Sequence, residues 1–163
     1  MQLCLVRHGI AGTPGPRYPD DAFRPLTRRG RRRMRQAAAG LRRLVQPDVI
    51  VTSPLLRARQ TAEILADAWG HGRVVESRAL ADGGDEEFLR LANARGEATV
   101  VAVGHMPLLA HTLSWLLTGD PKHASFQFRK GGAALVSFDG PAEAGAGQLV
   151  WLMQPSQLRE MGN

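Results

Sequence analysis

The sequence of 163 residues contains a single cysteine, Cys4, and so cannot form an internal disulfide. Cys4 lies within a short apolar run, which favours a buried apolar side chain over a nucleophile. The first residues also lack the charged start, apolar middle and small-residue cleavage site of a signal peptide. A chain without a disulfide framework fits a reducing compartment, so we expect a cytoplasmic protein.

Long apolar runs are missing too. No apolar stretch approaches the roughly 20 residues that a membrane-spanning helix requires. The chain has 44% hydrophobic residues and a mean hydropathy of −0.20, which indicates a soluble globular protein without a membrane partner. It shows no internal repeat, low-complexity tail or linker, and we therefore predict a single domain over residues 1–163.

Metal-binding patterns do not occur. The sequence has no pair of histidines four residues apart and no cluster of cysteine and histidine, the usual signatures of zinc sites. His71, His111 and His123 are predicted in a turn, a helix and a loop, and we interpret them as structural or surface residues. We expect neither a metal nor another cofactor.

Lysine is scarce, but arginine is abundant. The net charge is +6, and only Lys122 and Lys130 are lysines. Such a balance admits a phosphorylated protein, a small phosphate or nucleic acid as a partner. The densest run, residues 28–33, precedes apolar residues at helical spacing, so its arginines form either a solvated helix face or a partner-binding patch. No aromatic residues interleave with them, which argues against single-stranded nucleic acid.

Apolar strands alternate with amphipathic helices along the chain. This order predicts an α/β fold, a three-layer α/β/α sandwich whose sheet is mostly parallel. The predicted strands cover residues 3–6, 49–51, 74–75 and 100–103, with an antiparallel hairpin of 133–138 and 149–153 at the end. The predicted helices cover about 30–45, a segment that begins at Ser53-Pro54, 85–94 and 107–119.

Two of the predicted strands end in a histidine. The strand Leu3–Val6 leads into Arg7-His8-Gly9, and Thr99–Val103 leads into Gly104-His105. Ligands of parallel α/β sheets bind beyond the carboxyl ends of the strands, so we expect the two histidines to lie close together. An imidazole nitrogen can attack phosphorus, and a neighbouring guanidinium can hold the phosphoryl oxygens.

Two more cations are predicted at the same edge of the sheet. Arg57 follows Ser53-Pro54 in the first turn of a helix, where the helix dipole also favours an anion. Arg24 ends the long loop of residues 12–24. Guanidinium groups gathered in this way would repel one another without an anion, and their planar forks suit phosphate.

Four blocks together resemble a known family. Leu5-Val6-Arg7-His8-Gly9, the segment 24–27 (RPLT), the segment 53–62 (SPLLRARQTA) and the segment 104–107 (GHMP) are similar to the signature blocks of the histidine phosphatase, or phosphoglycerate mutase-like, superfamily. The short chain, and RPLT soon after RHG, resemble the SixA-type phosphohistidine phosphatases most closely. The resemblance spans about residues 2–153 and implies a phosphoglycerate mutase-like fold.

The resemblance also implies a mechanism. His8 would be the nucleophile and would become a phosphohistidine, which water would then hydrolyse. Arg7, Arg57 and His105 would complete the catalytic set and bind the phosphoryl oxygens, and Arg24 would add a further contact. No metal would be needed, because these side chains supply the stabilising charge.

A general acid is harder to place. Asp82 is the candidate in the region where larger family members carry a carboxylate, and Asp85 and Glu86 fit better as helix-start acids. Asp20 and Asp21 in the long loop are further candidates. A missing acid would suit phosphohistidine, whose ring nitrogen leaves with less help than an alkoxide.

The predicted function is dephosphorylation of phosphohistidine in a protein. Short connections leave little room for a lid, and an open site suits a phosphoryl group carried by a protein. One alternative is a small-molecule phosphomonoesterase of the same family. Another is a non-catalytic binder of phosphoprotein or nucleic acid that uses the arginine surface.

Overall fold

The computed structural model describes residues 1–70, 72–82, 84–94 and 96–163. The strands are β1 Gln2–Arg7, β2 Val49–Thr52, β3 Arg73–Glu76, β4 Thr99–Gly104, β5 Ala133–Ser137 and β6 Gln148–Met153. The helices are α1 Arg28–Leu41, α2 Leu56–Trp69, α3 Asp85–Asn93, α4 Leu108–Thr118 and α5 Pro155–Met161. Within these ranges, no helix has both the length and the apolar character to cross a membrane.

All six strands join one sheet in the order β3-β2-β4-β1-β5-β6. β4 pairs in parallel with both β1 and β2, and β2 pairs in parallel with β3 at the edge. β5 runs antiparallel to β1, and β6 runs antiparallel to β5. The predicted parallel sheet with a late antiparallel hairpin is confirmed.

Helices cover both faces of the sheet because successive side chains of each strand point in opposite directions. In β1, Leu3 and Leu5 pack into a core shared with α3 and α4. Cys4 and Val6 pack into a second core shared with α1, α2 and α5. The predicted three layers are therefore confirmed. Cys4 is fully buried, as expected, and burial raises the pKa of its thiol far above its ordinary value.

α1 begins earlier and ends earlier than the predicted 30–45. Thr27 caps the helix, since its hydroxyl accepts the N–H of Gly30 at 2.9 Å. Beyond Leu41 the chain tightens, and the N–H of Leu44 donates to the Leu41 carbonyl three residues back. Val45 is still buried, which is why the apolar spacing continued past the end of the helix.

Two further boundaries differ from the prediction. α2 begins at Leu56 and not at Ser53-Pro54, because the Ser53 hydroxyl lies beside a histidine ring and does not cap the helix. α5 was not predicted. Its start is a reciprocal cap in which the N–H of Gln154 donates to the Gln157 side chain at 2.8 Å. Leu158 is its one buried side chain. A single apolar position does not produce the periodic pattern that predicts a helix.

Candidate active site

The carboxyl ends of the three central parallel strands bring the predicted site residues together. β1, β2 and β4 end at Arg7, Thr52 and Gly104, so His8, Ser53 and His105 each follow a strand directly. The ring centroids of His8 and His105 are 5.0 Å apart. The predicted meeting of the two histidines at one edge of the sheet is confirmed.

His8 is held by its own backbone and by its neighbours. Its Nδ1 lies 2.7 Å from the carbonyl oxygen of Gly9, so this nitrogen donates and the ring lone pair resides on Nε2. Its backbone N–H donates to Gly104 at 3.1 Å. The N–H of Gly9 donates to the Thr61 hydroxyl, also at 3.1 Å, which ties the turn to α2. The ring is 6% exposed, and its orientation and tautomer are fixed.

Both site histidines are neutral at pH 7. Burial is the main reason why the pKa of His8 is lowered to about 3. The hydrogen bond to the Gly9 carbonyl opposes this shift, whereas repulsion from His105, Arg57 and Arg7 adds to it. Burial also lowers the pKa of His105 to about 4, with Arg57 as the next cause. A neutral His8 keeps its lone pair for attack on an electrophile.

The two predicted arginines nearest the histidines are hydrogen-bond donors, of which Arg57 is buried and Arg7 is partly exposed. Arg7 Nη1 donates to the Phe128 carbonyl at 2.6 Å, and Arg57 Nη1 donates to the Asp21 carbonyl at 2.8 Å. Their Nε atoms, and Nδ1 of His105, are buried without a hydrogen-bond partner in the described part of the chain. An oxyanion is the ligand that suits such a group of buried donors.

Ser53 positions the second histidine. Its hydroxyl lies 2.9 Å from His105 Nε2 and accepts the backbone N–H of Leu55 at 3.3 Å. This contact holds the His105 ring from its Nε2 side, so that Nδ1 remains for another partner. Ser53 was predicted as a helix cap, and its role in holding His105 depends on residues 52 positions apart.

Arg24 joins the site through a carboxylate. Asp21 Oδ1 accepts a hydrogen bond from Arg24 Nε, and Oδ2 accepts one from Arg57 Nη2, both at 2.7 Å. Arg24 Nη1 also donates to the Gly12 carbonyl at 2.7 Å. The sequence analysis considered Asp21 only as a proton donor and missed this bridge. The contact between Asp21 and Arg24 could have been suggested by their closeness in sequence, whereas Arg57 is 36 residues away from Asp21.

The carboxyls of Asp21 and Asp82, two of the predicted candidate acids, are both paired with arginines. Partial burial would raise the pKa of Asp21, but the hydrogen bonds from Arg24 and Arg57 outweigh it and hold the pKa below its ordinary value. Asp82 pairs with Arg78 at 2.5 Å, and this hydrogen bond lowers the pKa of its carboxyl. Asp82 lines an exposed pocket together with Ala22 and Pro54, the chain neighbours of Asp21 and Ser53.

The other histidines lie apart from this site. His111 is exposed on α4, and His123 is exposed in the connection that follows α4. His71 falls outside the described residues, as does the side chain of Asp85. Among the residues that the structure describes, no group of three or more histidines, cysteines and carboxylates could hold a metal ion.

Three comparisons with known proteins bear on this site. The sequence profile of the Histidine phosphatase superfamily (branch 1) matches residues 3–83. An uncharacterised protein of Picosynechococcus sp. is 39% identical over 128 residues, 76% of this chain and 77% of that protein. The phosphohistidine phosphatase SixA of Escherichia coli is 30% identical over 165 residues, 98% of this chain and 97% of that protein.

The fold agrees with a solved structure. The structure of the protein histidine phosphatase SixA complexed with tungstate matches with a TM-score of 0.81 and 29% identity, over 97% of this chain and 99% of that one. The profile match includes Arg7, His8, Arg24 and Arg57. Similarity over nearly the whole length, in both sequence and fold, shows that the chain belongs to the histidine phosphatase superfamily and is a phosphatase.

Proposed function

We propose that His8 accepts the phosphoryl group of the substrate on Nε2 and forms a covalent phosphohistidine. The observation that carries this proposal is the hydrogen bond from His8 Nδ1 to the Gly9 carbonyl at 2.7 Å. It leaves the lone pair on Nε2, and a pKa lowered to about 3 keeps that lone pair free of a proton. A fixed neutral imidazole among buried cations is a nucleophile prepared for an anionic electrophile.

The surrounding donors stabilise the transferring group. Arg7 and Arg57 lie within electrostatic reach of His8 and bind the phosphoryl oxygens, on which negative charge is spread in the transition state. The Ser53 hydroxyl can donate to His105 Nε2, which leaves the ring proton of His105 on Nδ1 to donate to a phosphoryl oxygen. Arg24 adds a contact at the rim after Asp21 gives way to the substrate.

The reaction proceeds in two steps. In the first, a bond forms between His8 Nε2 and phosphorus, the bond from phosphorus to the leaving nitrogen or oxygen breaks, and the leaving group takes a proton from solvent. In the second, water attacks phosphorus and gives up a proton to solvent, the P–N bond breaks with its electron pair returning to His8 Nε2, and inorganic phosphate leaves. Three arginines and a histidine supply the charge stabilisation, so the proposed reaction is independent of metal.

The proposed substrate is phosphohistidine in a protein. The similarity to the phosphohistidine phosphatase SixA supports this substrate. The side chain of Asp21 at the rim is 55% exposed, which indicates an open site that a protein surface can reach. Asp21 and Asp82 are both paired with arginines, and an imidazole leaving group needs a general acid less than an alkoxide does. A cytoplasmic location stays a prediction.

The substitution His8→Ala tests the nucleophile. We expect loss of phosphatase activity on a phosphohistidine peptide and loss of acid-labile ³²P on the protein after incubation with labelled substrate. His111→Ala, on the exposed face of α4, is the matched control and should keep both. Full turnover by the His8→Ala protein would refute the covalent mechanism.

The substrate is tested separately with the wild-type enzyme. We expect a higher kcat/KM for a phosphohistidine peptide than for alkyl phosphate esters. A clear preference for the esters would instead identify a small-molecule phosphomonoesterase. Binding of a phosphorylated peptide without any turnover would identify a non-catalytic binder.

A further inference from the structure

The start of α1 carries arginines that the proposed chemistry does not use. Arg29 and Arg33 lie one helical turn apart, and Arg32 lies between them in sequence. Repulsion from Arg29, and also from Arg159 on α5 and from Arg32, lowers the pKa of the Arg33 guanidinium. Lys130 lines a cleft together with Arg33 and Arg159. We call Arg29, Arg32, Arg33, Lys130 and Arg159 the basic patch.

No carboxylate neutralises this surface. No ion pair in the described part of the chain includes a member of the basic patch. α1 contains six arginines and no acidic residue. Arginines on other helices do have acidic partners, for example Arg59 with Glu76 at 2.9 Å. Neighbouring like charges repel one another, and an external polyanion would relieve that repulsion.

The basic patch adjoins the catalytic edge of the sheet. The cleft between its members is also lined by Gly9, the residue that fixes the His8 ring. Gly131 lines it as well, and the Gly131 N–H donates to the carbonyls of Arg7 and His8 at 3.1 Å each. A macromolecule that presents a phosphoryl group to His8 therefore has the basic patch beside its point of contact.

The size of the cleft decides how a partner would bind. Its volume is about 30 Å³, which holds only about two water molecules. No partner side chain fits inside, so a partner must lie across the exposed guanidinium and ammonium groups. Such contacts attract an acidic surface over a distance and orient it before close contact.

We propose that the basic patch docks an acidic segment of the phosphoprotein substrate next to its phosphohistidine. This inference rests on the proposed function, since it assigns a chemical character to the substrate of the same site. A protein fits better than single-stranded nucleic acid, because the patch contains no aromatic side chain on which bases could stack. The exposed aromatic Phe23 lies on the Asp21–Phe23 turn, outside the patch.

The test uses two phosphohistidine peptides of equal length, one flanked by glutamates and the other by glutamines. The triple variant R29Q/R33Q/R159Q should lose at least tenfold in kcat/KM for the glutamate peptide and stay within twofold of wild type for the glutamine peptide. The matched control R42Q/R73Q/R90Q removes the same charge from exposed arginines elsewhere and should change neither value by more than twofold.

The salt dependence gives a second readout. Wild type should lose its preference for the glutamate peptide between low and high ionic strength, because exposed charges are screened by salt. An equal loss for both peptides in the triple variant would show an effect on the chemistry and would overturn the docking proposal. Unchanged activity on the glutamate peptide would overturn it too.

Binding separates this proposal from the proposed function. Fluorescence anisotropy of an unphosphorylated glutamate peptide with the His8→Ala protein measures docking without turnover. We expect this binding to weaken at least tenfold when the substitutions R29Q/R33Q/R159Q are combined with His8→Ala in the same protein. Absence of phosphatase activity with this binding intact would refute the proposed function alone. Tighter binding of duplex DNA, or of vesicles with anionic lipid, would overturn docking of a protein.

Discussion

Two parts of the active site are built in different ways. The end of β1 places His8 in the protein interior. Its backbone N–H donates to the Gly104 carbonyl, and its ring Nδ1 donates to the Gly9 carbonyl. The turn Asp21–Phe23 lies on the surface and reaches the same site through a side chain that is 55% exposed. One part fixes an imidazole, and the other places a carboxylate between two guanidinium groups.

The difference indicates a division of labour. Buried donors near His8 are the groups that a phosphoryl group would find already oriented. Asp21 is an anion that already occupies Arg24 and Arg57, so a substrate must compete with it. Substitutions and pH should therefore affect the two parts to different extents.

The largest effect should follow from the buried arginine. Arg57→Ala should lower kcat/KM by roughly 1000-fold, since removing one buried donor to a transition-state oxyanion costs about that much. Arg24→Ala, at the rim, should lower it only about tenfold, in line with a more exposed contact. The measurement is kcat/KM on a phosphohistidine peptide. Equal losses for the two variants would remove the distinction between interior and rim.

Acid should destabilise the interior before it affects the turn. The lowered pKa values of His8 and His105, about 3 and about 4, mean that below pH 6.5 the unfolded chain binds more protons. The free energy of unfolding should be constant above pH 6.5 and then fall by roughly 1 kcal/mol per pH unit for each histidine. Urea titrations from pH 8 to 4.5 measure this slope.

His8→Gln should reduce that slope by about half. The Asp21 bridge acts in the same direction but in a lower pH window, because its lowered pKa stabilises the fold above the ordinary value of 3.8 and this stability is lost only as pH falls below it. Loss of stability between pH 6.5 and 4.5 therefore reports on the histidines. A slope that His8→Gln leaves unchanged would contradict the assignment.

A single methyl group tests how the turn after β1 is joined to α1. A Cβ at Gly30 would overlap the carbonyl oxygen of Ile10, two residues after His8. Gly30→Ala should therefore lower the free energy of unfolding by about 2 kcal/mol, as expected for overpacking. Gly140→Ala is the control, because an added Cβ there meets nothing within 4 Å. Thermal and urea unfolding would both register the difference.

The smallest effect concerns Asp21 itself. Asp21→Asn should strengthen inhibition by inorganic phosphate by roughly threefold, since an exposed ion pair contributes little and its removal frees two guanidiniums. The measurement is the inhibition constant of phosphate at fixed ionic strength. Weaker inhibition would show that Asp21 orients Arg24 and Arg57 for the ligand and does not compete with it.

Much of the fold could be predicted because its signals are local. The apolar runs of β1 and β4 lie entirely inside the protein, and their ends place His8 and His105 at one edge of a parallel sheet. Helix boundaries were less accurate. The cap of α1 by Thr27 precedes the apolar pattern, and the short α5 carries only one buried side chain, Leu158.

The sequence by itself determined which chemical groups the site contains and which strand ends carry them. Strand and helix patterns depend on neighbours a few residues away, and these patterns bring Arg7, His8 and His105 to one edge. Only the tertiary structure decided that Ser53 holds His105 and that Asp21 bridges Arg24 and Arg57. Those contacts join residues tens of positions apart through polar side chains on loops, and no periodic pattern in a sequence encodes such distances.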